Sequence, residues 1–207
     1  MIKSFACRDT EKLFNDQRVR RFQAFERQAR KRLMVLHAAP SIEALMLNPG
    51  NKFHALSGNR KGQYAISINK QWRVCFEWNG GNAYHVEITD YHWGVPMGTK
   101  QNLDPIKPGE ILREDFLEPL GISINQLSRE LSVPPNRVSE IVNGKRSITA
   151  DTALRLQRYF GVEAQFWLNL QTEYDLRMMK HKIWADIERR IIPIKDAGNG
   201  LQHSAGA

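Results

Sequence analysis

Two histidines in the first half of the chain, His54 and His92, accompany an arginine, an aspartate and a tyrosine of complementary chemistry: Arg73, Asp90 and Tyr91. Imidazole titrates near pH ~6.5, so one ring can accept a proton while another donates one at neutral pH. A guanidinium forks onto phosphate oxygens. The reaction these groups suit is cleavage of RNA by its own 2′-hydroxyl. It needs a base at the 2′-oxygen, an acid at the departing 5′-oxygen, and a cation for the charge that builds on phosphorus. Asp90 could orient a histidine or carry a proton, and Tyr91 could stack on a base or donate its hydroxyl. No metal and no cofactor is required, and the two cysteines, Cys7 and Cys75, cannot form a cysteine-cluster zinc site. Taken singly, each residue also has a structural reading: a surface histidine, a solvated arginine, a core tyrosine. The sequence does not decide which histidine is acid and which is base.

A second set of groups lies beyond residue 123. Two short helical patterns meet at the tight turn Ser132-Val133-Pro134, with Leu127, Leu131, Val133, Val138 and Ile141 spaced to face inward. This is the anatomy of a helix-turn-helix. Asn136, Arg137, Ser139, Glu140 and Asn143 remain outward on the second helix, followed by Lys145 and Arg146, where they could reach base edges or phosphates in a major groove. Gln126, near the start of the first helix, could bond a backbone phosphate. A small helical bundle with a polar surface would show the same spacing.

The elements that position the first set read as α+β. Residues 19–39 carry Phe22, Phe25, Ala29, Leu33 and Leu36 at steps of three and four, one apolar helix face, with Arg20, Arg21, Arg27, Arg30 and Lys31 on the other. Three alternating runs follow: 64–69 (Tyr64, Ile66, Ile68 inward), 72–78 (Trp72, Val74, Phe76, Trp78) and 83–91 (Tyr84, Val86, Ile88). Asn79-Gly80-Gly81-Asn82 joins the last two, and the helix can cover one face of the resulting antiparallel meander. From Pro108 to about Arg190 the pattern is helical. Pro108 opens the first helix and Gly121 ends it, Ser123 caps the second, Pro134-Pro135 opens the third and Asn143-Gly144 closes it. Thr149 caps a fourth that stops at Gly161, and a long fifth begins at Glu163.

Two resemblances attach to these patterns. The run from Pro108 to about Arg177, with the stretch 141–156 and the Phe166-Trp167-Leu168-Asn169-Leu170-Gln171 run, resembles the antitoxin of the host-inhibition-of-growth (Hig) toxin–antitoxin systems, a five-helix phage-repressor-type helix-turn-helix fold. That resemblance implies dimers on palindromic operator DNA. Residues 1–92 resemble the toxin of the same systems, a small RelE/ParE-superfamily fold. The carrying residues are the opening Met1-Ile2-Lys3-Ser4-Phe5, the run from Phe53 to Arg60, Gln71-Trp72-Arg73-Val74 and Asp90-Tyr91-His92. It implies ribosome-dependent cleavage of messenger RNA, with His54, Arg73, Asp90, Tyr91 and His92 as the site. The Asp90-Tyr91-His92 ending with His54 favours RNA cleavage over the gyrase target of the ParE branch. Ser57 stands where some relatives carry lysine, and Lys61 or Lys70 could supply the missing cation.

The expected organisation is therefore a toxin domain (1–92), a linker (93–107) rich in Gly and Pro, a helix-turn-helix domain (108–190) and a loose tail (191–207). Met97 sits where a separate antitoxin would begin, so the chain reads as a fused toxin–antitoxin pair. Its expected partners are ribosome and mRNA for one half, operator DNA for the other, an intramolecular or domain-exchanged contact between them, and a second copy in a homodimer. The alternative is a DNA-binding regulator whose toxin-like half is inactive. Charge supports a polyanionic partner. Residues 1–96 hold 15 Lys+Arg against 8 Asp+Glu, residues 97–207 hold 15 against 14, and the net is +8. Composition, 42% hydrophobic and 25% charged, is that of a folded chain rather than a disordered one. No apolar run reaches the ~20 residues of a membrane span, and without a leader pattern the cytoplasm is the expected compartment.

Overall fold

The computed structural model describes residues 1–90 and 103–193. The first half is an α+β layer pair. Helices α1 (Arg8–Phe14), α2 (Glu26–Ala38) and α3 (Ile42–Leu47) precede a four-stranded antiparallel sheet in the order β1 (His54–Ala55), β2 (Gln63–Ser67), β3 (Trp72–Asn79), β4 (Asn82–Asp90). The N-terminal segment runs parallel along the edge of β4, with Lys3 N donating to Ala83 O at 2.8 Å and Ala6 N to Val86 O at 3.1 Å. Ile66, Val74 and Ile88 are paired across the strands and buried, together with Leu33 and Leu36 of α2.

The single helix expected over 19–39 divides. Arg20–Phe25 is a 3-10 turn and only Glu26–Ala38 is α-helical. The three-residue period of a 3-10 turn eclipses positions i and i+3, so Phe22 and Phe25 both face Trp72. Phe25 stacks on it at 4.8 Å between centroids and Phe22 meets it edge-on at 6.0 Å. The last strand also departs from simple alternation. A bulge, with His85 at φ 50°, sets two residues of β4 against one of β3, so Ala83 is buried and Tyr84 only partly so, while Val86 and Ile88 stay inside.

The second half is helical: α4 (Pro108–Ile111), a π-helical stretch (Leu112–Leu117), α5 (Glu118–Leu120), α6 (Ile124–Glu130), α7 (Pro135–Val142), α8 (Ala150–Phe160) and α9 (Ala164–Arg190). Pro119 has no N–H for the preceding turn and its ring crowds that turn's carbonyl, and the widened stretch just before it accommodates both. Phe116 of this stretch enters the helical core, 4.8 Å from Trp167 and 5.1 Å from Phe160 between centroids. Gly109 is required where α4 crosses α7, because a Cβ there would stand 1.8 Å from Ile141 O.

Residues Met1–Tyr174 form one compact unit and Asp175–Ala207 a second. The first unit therefore contains both halves, and the seam between them is charged. Arg27 of α2 pairs with Glu110, Lys31 with Glu114 at 2.6 Å and Asp115 at 3.1 Å, and Arg32 with Asp115 at 2.5 Å. Asn48 Nδ2 donates to Asp115 at 3.4 Å, and Gly50 leaves the space that Asp115 fills. Further along, Ser41 Oγ donates to Glu163 at 2.5 Å and Asn169 Nδ2 to Ala38 O at 2.8 Å. Arg30 and Lys31, expected on the helix face opposite the apolar one, are nonetheless buried: Arg30 closes on Asp16 at 2.6 Å, and the helical half covers Lys31.

Burial pushes the Glu114 carboxyl up, but the hydrogen bond and charge of Lys31, helped by Arg113, outweigh it and hold the group below its ordinary value of 4.5. A carboxyl depressed on folding contributes stability above its unfolded pKa and loses it as pH falls through the folded one. The urea midpoint of the whole chain should therefore drop as pH falls below about 4.5, and Glu114→Gln should reduce that slope.

Candidate functional site

The sheet has a second face, away from α2, and register decides what it carries. Directly paired residues of antiparallel strands share a face, as do residues i and i+2. His54 pairs with Ala65, Ala65 with Cys75 and Cys75 with Glu87, forming one cross-strand row. Ser67, Arg73 and Thr89 form the next. His54 and Arg73 therefore share a face, two strand spacings (~10 Å) and one two-residue step (~7 Å) apart, within reach of two extended side chains.

His54 is exposed on the short edge strand β1, and its Nδ1 lies 3.1 Å from Lys52 O. A carbonyl only accepts, so Nδ1 carries the proton and Nε2 presents its lone pair. Arg73 is held by the turn before its own strand. Nη1 donates to Asn69 O at 2.6 Å and Trp72 O at 3.1 Å, and Nη2 reaches Lys70 O at 3.5 Å. Its buried Nε makes no hydrogen bond among the described residues. Asp90 pairs with Trp72, so it belongs to the alternate set of positions at the end of β4. Its carboxylate accepts from Gln71 Nε2 at 2.6 Å. Tyr91 and His92 lie outside the described residues.

The structure adds Arg60, which individual residue chemistry had not singled out. It reaches from the 3-10 turn Gly58–Arg60 over the same face, donating to Gln63 Oε1 at 2.8 Å and pairing with Glu87. Its signal was its place in the 53–60 run. Glu77 continues the network, accepting from Gln63 at 3.5 Å and meeting His85 Nδ1 at 3.0 Å. The His85 bond, with smaller help from Gln63, holds the Glu77 carboxyl below its ordinary value against the opposing effect of burial. Beneath lies the Cys75 thiol. Desolvation pushes it up to about 11, with Glu87 adding to the rise and Arg60 and Arg73 opposing it. The hydrogen bonds and ion pairs across the seam named above use α2, α3 and their flanking turns, and none involves His54, Arg60 or Arg73.

In the helical half the anatomy of the turn is complete. Ser123 Oγ accepts from Gln126 N at 3.1 Å, Ser132 takes the left-handed conformation (φ 53°), and Gly144 ends α7 at φ 69°. Leu127, Leu131, Val138 and Ile141 are buried. Asn136, Asn143, Lys145 and Arg146 are exposed and Gln126 and Ser139 partly so. Asn143 Nδ2 donates to Ser139 O at 2.8 Å. Arg137 Nη1 is bound by Asp151 at 2.6 Å and Arg146 by Glu140 at 2.6 Å. Asp151 also holds Arg155 at 3.1 Å, and that bond first, with Arg137, lowers its carboxyl against the opposing effect of burial. Among the described residues no group of three or more His, Cys, Asp or Glu is placed to hold a metal, and no helix is long and apolar enough to cross a membrane.

Comparison with known proteins divides along the same line. Residues 3–92 match the family model of the RelE-like toxin of the type II toxin–antitoxin system HigB, and residues 114–167 match a helix-turn-helix model. Over 84 residues the chain is 57% identical to virulence-associated protein I of Dichelobacter nodosus, 41% of this chain and 77% of that protein. It is 40% identical over 72 residues to antitoxin HigA-1 of Vibrio cholerae, 35% of this chain and 68% of that protein. Among solved structures, Pseudomonas aeruginosa antitoxin HigA with the higBA promoter is 48% identical, with a TM-score of 0.43, covering 44% of this chain and 98% of that one.

The two thiols should differ sharply in reactivity, since the thiolate is the nucleophile. At pH 8 iodoacetamide should label the partly exposed Cys7 and leave the buried Cys75 unmodified until the chain is denatured, as read by peptide mass spectrometry.

Proposed function

Because the chain belongs to the HigBA toxin–antitoxin family, a HigB-like toxin half continued by a HigA-type helix-turn-helix antitoxin half, we propose that it is a ribosome-dependent mRNA endoribonuclease joined to its own inhibitor and operator-binding repressor. The observation that carries this reading is the sheet face away from α2. An exposed imidazole whose Nδ1 meets Lys52 O shares it with Arg60 and Arg73, while the seam with the helical half uses the α2 side of the sheet.

In this reading His54 Nε2 takes the proton of the 2′-hydroxyl, the new 2′-oxygen–phosphorus bond forms, and the bond to the 5′-oxygen breaks. The products are a 2′,3′-cyclic phosphate and a 5′-hydroxyl, and the departing oxygen receives a proton from the acid. Arg73, already aimed by three carbonyls, and Arg60 carry the negative charge that gathers on the phosphate. Tyr91 and His92 are the candidates for the acid, as the family resemblance implies, while Asp90, on the alternate set of β4 positions and bound by Gln71, stands apart from the His54 and Arg73 row. Segment 93–107 is the tether between the halves. The antitoxin half reads operator DNA through Asn136, Arg137, Ser139 and Asn143, with Gln126, Lys145 and Arg146 on phosphates, as a homodimer matching a two-fold operator.

A protease recognition site inserted within residues 93–102 tests the first arm. After cutting and separation of the halves, translating ribosomes should show new mRNA 5′ ends. His54→Ala should lower that rate by about 10²–10⁴-fold, as loss of a general base does. Intact transcripts with the separated toxin half would leave a DNA-binding regulator with an inactive partner domain.

Gel shifts test the second arm. Arg137→Ala should weaken specific operator binding by about 1–3 kcal/mol, the worth of a base-reading contact. Lys145→Ala should weaken all duplexes nearly equally and flatten the salt dependence by about one phosphate.

A further inference from the structure

Seven of the fifteen residues from 18 to 32 are Arg or Lys, against a single acid, Glu26. Arg30 closes on Asp16 within its own half. Arg27, Lys31 and Arg32 instead end on Glu110, Glu114 and Asp115 of the helical half. Arg20 stays exposed, and Arg21 lies over the Phe22 and Trp72 rings, so the cationic band continues past the seam. The buried pairs of Lys31 and Arg32 lose to desolvation about what they gain from attraction, the half-exposed Arg27–Glu110 pair contributes little, and apolar side chains of similar size would hold the halves at least as well. Cohesion alone therefore does not account for three cations on one face of α2. A use in the state where that face is open does.

The covering side has matching form. Glu110 and Glu114 stand about one helical turn apart, ~5.4 Å along the axis, with Asp115 beside them. Together they present a row of anionic oxygens to the cations, the kind of array a phosphate backbone also offers. We propose that the α2 face bearing Arg27, Lys31 and Arg32 is a docking surface for an RNA backbone, and that Glu110, Glu114 and Asp115 occupy it in place of phosphates. This rests on the reading of the first half as an RNA-directed toxin and gives its restraint a mechanism. The antitoxin half competes for the ground on which the toxin half docks, leaving the His54 face uncovered by those contacts. Arg27 and Lys31 make the phosphate contacts. Arg32, whose Nε donates to Ser67 O at 2.8 Å and Nη1 to Asn51 at 3.3 Å, is anchored in its own half and fixes the charge behind them.

The test uses the full chain carrying His54→Ala, so that RNA stays intact, with a protease site inserted within residues 93–102 and a fluorophore on each half. After nicking, the seam alone holds the halves together, and purified ribosomal RNA is titrated in. The RNA should weaken the association of the halves by roughly tenfold or more, and the effect should shrink as salt rises, as counterion release requires. Arg27→Met with Glu110→Met, which replaces both members of one ion pair and leaves Lys31 and Arg32 on Asp115, should leave the halves associated while cutting the RNA effect severalfold. Because Lys31 is buried, Arg27→Gln alone, at an exposed position, gives a second reading and should remove a clear part of the effect. RNA that binds without separating the halves would overturn the proposal. So would equal separation in the double variant, or separation by polyglutamate but not by RNA. The His54→Ala background makes the readout independent of cleavage, so a failed nuclease assay and a failed displacement are told apart.

Discussion

Asp115 is fully buried and cannot be buried alone. An isolated carboxylate in a protein interior is far less stable than in water, and breaking such a pair by removing one partner typically costs about 3–5 kcal/mol. Arg32 and Lys31 on one side, and Asp115 on the other, are therefore obligate partners from the two halves, with Arg32 and Asp115 83 residues apart along the chain. Several local features serve this junction. Gly50 lacks the Cβ that would collide with Asp115, and Asn48 turns its amide toward the same carboxylate. The π-helical stretch before Pro119 carries Asp115 to the seam and Phe116 to the helical core from adjacent positions. One irregular turn thus ties the fold of the second half to its grip on the first.

The placement of that grip has a consequence for function. A two-layer α+β unit offers two broad surfaces, the outer side of its helices and the free face of its sheet. The seam takes the first, and its hydrogen bonds and ion pairs leave out His54, Arg60 and Arg73 on the second. In the proposed reading, restraint acts on docking rather than on the chemical groups. The proposed tether would set an effective concentration on the order of millimolar for the two surfaces. The seam then need not be tight to be mostly closed, and a modest competitor at α2 can open it.

What could be read from the sequence, and what could not, follows from the range of the interactions. Caps and turns are local, so Ser123, Gly121, Gly144 and the Ser132 turn were legible, and with them the helix-turn-helix. Alternation placed β2, β3 and the core positions Ile66, Val74 and Ile88. The bulge at His85 escaped because its cause is the partner strand, not the residues beside it. The 3-10 turn at Arg20–Phe25 escaped for a similar reason: Phe22 and Phe25 also fit an α-helical period, and only Trp72, far along the chain, selects the tighter one. The burial of Arg30 and Lys31 was not legible because nothing beside them in the chain announces Asp16 or Glu114. His54 and Arg73 were legible as chemistry, but their common face required the β1–β2–β3 register, and Arg60 required the turn that aims it.

The same chain handles two sets of cations in opposite ways. Arg137 and Arg146, on the proposed DNA face, are held by Asp151 and Glu140 at positions open to solvent. Such pairs contribute about 0–1 kcal/mol and are screened by salt, so a phosphate or a guanine edge displaces them at little cost. Their service is to fix the rotamers of long side chains before a ligand arrives. Lys31 and Arg32 of α2 meet Asp115 out of water, where geometry is enforced and screening is weak. The proposed DNA face would therefore be ready while the halves remain joined, whereas Lys31 and Arg32 become accessible only when the seam parts. Burial, rather than the kind of residue involved, separates a surface that works in the closed protein from one that works only in the open one.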